Sequence, residues 1–232
     1  MKTIGLLGGM SWESTMPYYR LINEAVKARL GGLHSAKILL ASVDFEPIQH
    51  LAHSGDWPGV QRALTPYGQQ LKAGGADVLV VCTNSMHKVA PAMADEMGLP
   101  LLHIADVTTA RVRQSGCVRP LLLGTRFTME GDTYRARINA PGEEVRVPYS
   151  SERDEIHRVI FEELCLGVVR PAARETFRRI IARHAAAGAD GVILGCTELA
   201  MLVQPEDSPV PLFDTTALHA EAAVDWALGG AA

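Results

Sequence analysis

The sequence predicts an α/β protein of two pseudo-symmetric lobes, each a mostly parallel sheet flanked by helices. Three observations carry this: an internal repeat, the short length of its apolar runs, and their alternation with helical patterns. The segment Gly188-Ala189-Asp190-Gly191-Val192-Ile193-Leu194-Gly195-Cys196-Thr197-Glu198 has an earlier copy in Gly75-Ala76-Asp77-Val78-Leu79-Val80-Val81-Cys82-Thr83-Asn84. Each copy is a Gly-Ala-Asp turn, an apolar run too short for a helix, and a Cys-Thr pair where polarity begins. Buried parallel strands and their exposed carboxyl ends have this pattern. Ligands of doubly wound folds sit outside those ends. Two such ends, one from each half, predict a site in a cleft between the lobes.

Composition narrows the partners. With 232 residues, 47% of them hydrophobic, the chain can bury a full core. Its net charge of -4 comes from 22 basic and 26 acidic residues mixed along the sequence, which offers nothing to nucleic acid or an anionic membrane. A small molecule is the expected partner. The run from Ile4 to Met10 is short, Gly-rich and soon followed by Glu13, unlike a signal peptide or a membrane span. Cysteines 82, 117, 165 and 196 lack Cys-x-x-Cys and Cys/His zinc spacing. Reduced thiols in a cytoplasmic protein, with no metal, are therefore expected.

Taken in order, Lys2 to Leu7 is the first strand and Gly8-Gly9-Met10-Ser11 a loop that lets backbone approach a ligand. It matches neither GxGxxG nor GxxxxGK, so no nucleotide cofactor is indicated. A helix opening near Pro17 carries Tyr18, Leu21, Ile22, Ala25 and Val26 and stops at Gly31-Gly32. Ala36 to Val43 reads as a buried strand. From Asp56 to Lys72 a helical pattern contains Pro66, which either kinks one helix or starts a second. The repeat strand Val78 to Val81 precedes a helix from about Ser85 to Met97, a short strand at Leu101 to Ile104, and a helix from Asp106 to Gln114.

The pattern then restarts. Leu121 to Arg126 repeats the run-then-Gly layout of the first strand, a helix covers about Met129 to Ile138, and Val145 to Pro148 is a minor strand. The polar segment Tyr149 to Arg153 is expected as a loop or lid. Helices follow at Glu155 to Leu164 and Pro171 to Ala187, then the second repeat strand, a strand at Val210 to Asp214, and a helix from Thr215 to Leu228 ending at Gly229-Gly230. The first lobe is thus residues 1–104 plus 214–232, and the second 105–213.

The register of the repeat ranks the candidates. Six residues after Asp190 stands Cys196; six after Asp77 stands Thr83, with Cys82 matching Gly195. Neighbouring strand residues point to opposite faces, so Thr83 ranks above Cys82. A cysteine between a strand end and a helix start has amides and a dipole to stabilise its thiolate. Two such positions on either side of an amino acid suit racemisation, in which one group removes the α-proton and another returns one from the opposite face.

These residues resemble the aspartate/glutamate racemases, which work without pyridoxal phosphate, and among them the YgeA-like group. Gly195-Cys196-Thr197-Glu198 matches the second-lobe motif; Asn84-Ser85-Met86-His87 matches the residues after the first-lobe cysteine, and Thr83 stands where that cysteine belongs. The resemblance covers essentially the whole chain, including Gly8 to Ser11 and Ile160 to Leu164. It implies a cofactor-independent homodimer acting on amino acids, aspartate and glutamate first, with neutral ones as a further possibility. Hydroxyls hardly ionise near neutral pH. The expected catalytic pair is therefore unequal: Cys196 as base and Thr83 as a weak donor, with slow or one-sided turnover.

Candidate substrate-binding residues are Met10, Ser11, Asn84, Ser85, Thr125, Thr197 and Glu198. Thr83, Asn84 and Ser85 also suit helix capping, and Glu198 suits either a helix start or a relay to Cys196. His87 is expected in packing, with His103 and His219 weaker candidates still. Cys82, Cys117 and Cys165 read as structural. Arg126 suits a carboxylate, whereas Glu155 stands where acid-specific relatives are expected to carry a basic side chain. Arg153, His157 and Arg158 lie nearby. Hydantoin racemases, maleate isomerases and malonate decarboxylases are the rival enzyme readings; a non-catalytic amino-acid-binding module is the rival of another class.

Overall fold

The computed structural model of the protein describes residues 1–138 and 140–229. Gly230, at the expected stop of the last helix, lies outside them. The chain divides into two compact units, residues 1–104 with 219 onward, and residues 105–218.

The first unit runs β1 (Ile4–Gly8), α1 (Trp12–Leu30), β2 (Ile38–Ser42), α2 (Phe45–His53), α3 (Trp57–Ala73), β3 (Val78–Val81), a 3-10 turn (Ser85–Lys88) and α4 (Ala90–Met97). Its three strands are parallel in the order β2-β1-β3, and Leu101 adds one parallel bridge to Leu79. Leu7, Leu79 and Val81 turn one sheet face onto Leu64, Met93 and their neighbours. Each such buried side chain contributes about 1.5–3 kcal/mol.

After α5 (Ile104–Gln114) the second unit holds β4 (Pro120–Gly124), α6 (Arg126–Glu130), α7 (Asp132–Arg135), α8 (Ser150–Glu162), α9 (Pro171–Ala186), β5 (Gly191–Gly195), α10 (Leu199–Leu202) and β6 (Leu212–Asp214). Its sheet is parallel in the order β4-β5-β6, with Arg146 bridging Leu121. The two sheets therefore share one layout. The last helix, α11 (Thr215–Ala227), begins in the second unit, where β6 pairs with β5 and Thr215 Oγ1 donates to the Leu194 carbonyl. The return to the first unit falls inside α11, at His219, and not at residue 214.

The repeated turn is a repeated structure. Gly75 and Gly188 adopt φ of 95° and 94°, a region that favours glycine. The aspartate that follows clamps the start of the neighbouring strand. Asp77 Oδ2 accepts from Thr3 N at 2.6 Å, while Asp190 accepts from Val118 N at 3.0 Å, Arg119 N at 2.7 Å and Cys117 Sγ at 2.8 Å. Both backbones answer in kind, Asp77 N donating to Thr3 O and Asp190 N to Arg119 O. From these fixed points the ladders run to Leu7 opposite Val81 and Gly124 opposite Gly195. Continued by one residue, the first ladder sets Gly8 opposite Cys82. Cys82 thus corresponds to Gly195, and Thr83 to Cys196.

Several elements depart from the sequence expectation for identifiable reasons. β2 is half exposed because it is a sheet edge: Leu39 and Ala41 pack on the core while Leu40 does not. Helix α1 begins at Trp12 under a Ser11 cap, which places Pro17 inside it. An unanticipated helix, α2, is capped by Asp44, and α3 is a single helix through Pro66. Pro91 near the start of α4 separates that helix from the 3-10 turn, and Gly131 separates α6 from α7. Leu101 and Arg146 contribute single bridges where strands were expected.

The expected lid at Tyr149 to Arg153 is instead the start of α8. Glu152 is buried there, accepting from Tyr149 N at 3.0 Å and Arg183 Nη1 at 2.7 Å, with His184 Nε2 at 2.8 Å. A buried, paired carboxylate holds that segment down.

Since Asp190 receives three donors, Asp190→Ala should lower unfolding stability by about 2 kcal/mol. The urea midpoint would report this, with an unchanged slope if the unfolded state is unaltered.

Candidate active site

Parallel neighbours open their carboxyl ends on the same side of a sheet. In the second unit this brings together the turn after β5, carrying Cys196, Thr197 and Glu198, and the turn after β4, carrying Thr125. Glu198 occupies the residue before α10 but does not cap it. Its carboxylate accepts from Cys196 Sγ at 2.9 Å, Thr197 Oγ1 at 2.7 Å and Cys165 Sγ at 3.5 Å. Only 3% of Glu198 and 8% of Cys196 is exposed.

This arrangement reverses the electrostatic expectation for Cys196. Burial, then the Glu198 charge, then Cys165 push its thiol well above the ordinary range, against a weaker opposing contribution from the Glu198 backbone. Four residues of α10 supply little dipole. The resting group is a protonated thiol donating to a carboxylate, a nucleophile or base with its proton acceptor already in contact.

In the first unit the turn after β3 carries Cys82, Thr83, Asn84 and Ser85, beside the turn after β1 that carries Met10 and Ser11. Cys82 is 1% exposed, its Sγ lies toward the Val80 carbonyl, and burial raises its thiol strongly. Thr83 is held by its N–H on Val81 O at 2.9 Å and by His87 Nδ1 on its carbonyl at 2.7 Å. Asn84 precedes the 3-10 turn without a side-chain cap bond, so capping does not account for it. Ser11 caps α1, accepting from Ser14 N at 3.4 Å, and Thr125 caps α6, accepting from Thr128 N at 3.3 Å. Both loop hydroxyls thus serve helix starts at equivalent places. Met10 is buried.

The basic residues near the α8 start are engaged within the unit. Arg126 pairs with Asp154, Arg153 with Glu130, and Arg158 with Glu155 and Glu163. His157 packs between Phe127 and Phe161. Among the described residues no group of three or more His, Cys, Asp or Glu is arranged to hold a metal ion, and no helix is long and apolar enough to cross a membrane.

Two features escaped the sequence reading. Cys165 reaches Glu198 from the turn after α8, and no spacing announces a contact between residues 33 apart. His87, His103 and His219 form a buried cluster with Tyr18: His219 Nδ1 meets Tyr18 Oη at 2.8 Å, its Nε2 meets Leu102 O at 2.9 Å, and His87 lies edge-on to both other rings. Burial, followed by the neighbouring imidazoles, lowers His87 well below the usual range, and burial leads in bringing His219 down to about 4.

Two parallel sheets of one strand order, with polar side chains gathered at their carboxyl ends, define the two-lobed fold of the Asp/Glu racemases. The description Asp/Glu/Hydantoin racemase matches residues 7–223, and the chain belongs to that family. A candidate Asp/Glu racemase from Yersinia pestis is 53% identical, with a TM-score of 0.89 over 98% of this chain and 100% of that one. An aspartate racemase homologue from Pyrococcus horikoshii OT3 is 30% identical, with a TM-score of 0.83 over 98% and 100%. The broad specificity amino-acid racemase RacX of Bacillus subtilis (strain 168) is 22% identical over 95% of this chain and 96% of its own length.

Glu198→Gln removes the charge that raises Cys196, so alkylation of Cys196 by iodoacetamide at alkaline pH should be faster in the variant than in the native protein. A slower rate would show that the carboxylate lowers the thiol. His219 titrates lower folded than unfolded, as does His87. The stability they support is present above about 6.5 and lost as pH falls toward the folded His219 value of about 4. Each contributes a slope of up to about 1.4 kcal/mol per pH unit. Thermal midpoints measured down this range should fall less steeply in His219→Gln.

Proposed function

We propose that this protein is a cofactor-independent amino-acid racemase in which Cys196 and Thr83 serve opposite faces of the substrate α-carbon. The observation that carries the reading is the contact between Cys196 Sγ and the buried Glu198 carboxylate, on a strand end whose register partner in the other unit is Thr83. Family membership supports the class of reaction.

In the proposed step Glu198 takes the Cys196 proton and the thiolate removes the α-proton, which restores the thiol and leaves a carbanion stabilised by the substrate carboxylate. Thr83 delivers a proton to the other face through water, and the proton held by Glu198 returns by way of solvent to restore the Thr83 hydroxyl. A hydroxyl is the poorer partner because so little of it ionises near neutral pH. Turnover is therefore slow or one-sided. Thr197, Thr125, Ser11, Asn84, Ser85 and the Met10 backbone bind the substrate, their N–H and O–H groups donating to its carboxylate and their oxygens accepting from its ammonium group. Aspartate and glutamate lead as substrates, and the broad specificity named for the Bacillus subtilis relative supports testing neutral amino acids too. A cytoplasmic homodimer completes the proposal.

The test is α-hydrogen exchange in heavy water across L- and D-amino acids, without added cofactor. Exchange should fall by about 10²–10⁴-fold in Cys196→Ala and in Glu198→Gln. Thr83→Ala should slow exchange of one antipode only, and Cys82→Ala neither. Loss of activity in Cys82→Ala together with an unaffected Thr83→Ala would reverse the assignment. Exchange confined to hydantoins would move the substrate class within the family, and binding without any exchange would make the protein an amino-acid receptor.

A further inference from the structure

We propose that His87 is a positioning residue, which aligns Thr83 for proton delivery by donating its Nδ1–H to the Thr83 carbonyl. The inference rests on the racemase reading and adds a residue that acts through Thr83.

The two strand ends are held in different ways. In the second unit the Cys196 carbonyl accepts from the backbone, Leu199 N at 3.1 Å. In the first unit the carbonyl of the register partner Thr83 accepts from a side chain, His87 Nδ1 at 2.7 Å. With its N–H on Val81 O, Thr83 has both backbone groups fixed, and with them the Cα–Cβ direction from which its hydroxyl projects.

The chemistry of the ring assigns its tautomer. A carbonyl oxygen can only accept, so Nδ1 carries the hydrogen and Nε2 carries the lone pair. Nε2 is buried with no hydrogen-bond partner. A leucine would fill the space without an orphaned acceptor, so what the imidazole adds is the Nδ1 donor.

The ring is also kept from turning over. His103 lies edge-on to it at 4.6 Å and His219 at 5.5 Å between centroids. His219 is anchored at both nitrogens, Nε2–H donating to Leu102 O and Nδ1 accepting from Tyr18 Oη. Four segments of the first unit thus converge on one donor, the one that sets Thr83.

Amide isosteres separate the donor from mere packing. Asparagine places an N–H near the Nδ1 position, glutamine near Nε2, and leucine places none. The antipode whose α-hydrogen exchange is lost in Thr83→Val defines the Thr83-dependent reaction. In His87→Leu and His87→Gln that exchange should slow by on the order of 10–100-fold, while His87→Asn stays within about threefold of the native rate. The Cys196-dependent exchange should be unchanged in all three. Backbone amide exchange of residues 83–89, followed by mass spectrometry, should quicken in the Leu and Gln variants only.

Unchanged Thr83-dependent exchange in His87→Leu, or an Asn variant as slow as the Leu variant, would overturn the proposal. Should His87→Leu fail to fold, the Asn and Gln pair decides alone. Absence of exchange in the native protein would refute the racemase reading instead; amide protection would then still decide, and equal protection in His87→Asn and His87→Gln would overturn the role of the Nδ1 donor.

Discussion

Two aspartate carboxylates set the geometry on which the rest depends. Asp77 and Asp190 each accept backbone N–H groups from the start of the adjacent strand. Since side chains alternate along a strand, a slip of one residue would turn every core side chain to the other face. The clamps therefore select both which residues enter the core and which residue stands first beyond the strand. Downstream of the clamps, Thr83 and Cys196 take equivalent places, and the buried Cys82 takes that of Gly195.

What stands at those places is governed by desolvation. A thiol with 8% exposure beside a carboxylate with 3% is easier to keep neutral than ionised. Glu198 offsets its own burial by collecting donors from Cys196, Thr197 and Cys165. Proton transfer between thiol and carboxylate then moves a charge already in the site and introduces no second one. The first unit uses neutral imidazoles for a comparable purpose, with one carbonyl and a phenol satisfying the nitrogens of His219.

Local patterns made much of this legible. The repeat exposed the parallel strands and their register, because Gly75 and Gly188 need the same backbone geometry and the aspartates do the same work. Solvent exposure was harder to read: Ile38-Leu39-Leu40-Ala41 is apolar on both faces, and only its place at the sheet edge leaves Leu40 uncovered. Long-range pairing was not legible at all. Tyr149 to Arg153 is polar because Glu152 meets Arg183 and His184, 31 and 32 residues away, and Tyr18 finds His219 across 201 residues. No periodicity encodes such partners.

The passage of the chain between its units has a consequence for the order in which they form. Residues 105–218 are contiguous, whereas the first unit joins residues 1–104 to a segment beginning at His219. That segment supplies the imidazole bonded to Tyr18 and Leu102. During synthesis the first unit to be started is therefore the second to be finished. Until His219 emerges, the Tyr18 hydroxyl and the Leu102 carbonyl lack their imidazole partner, so a nascent chain stalled before that point has the complete sequence of one unit and an unfinished core in the other.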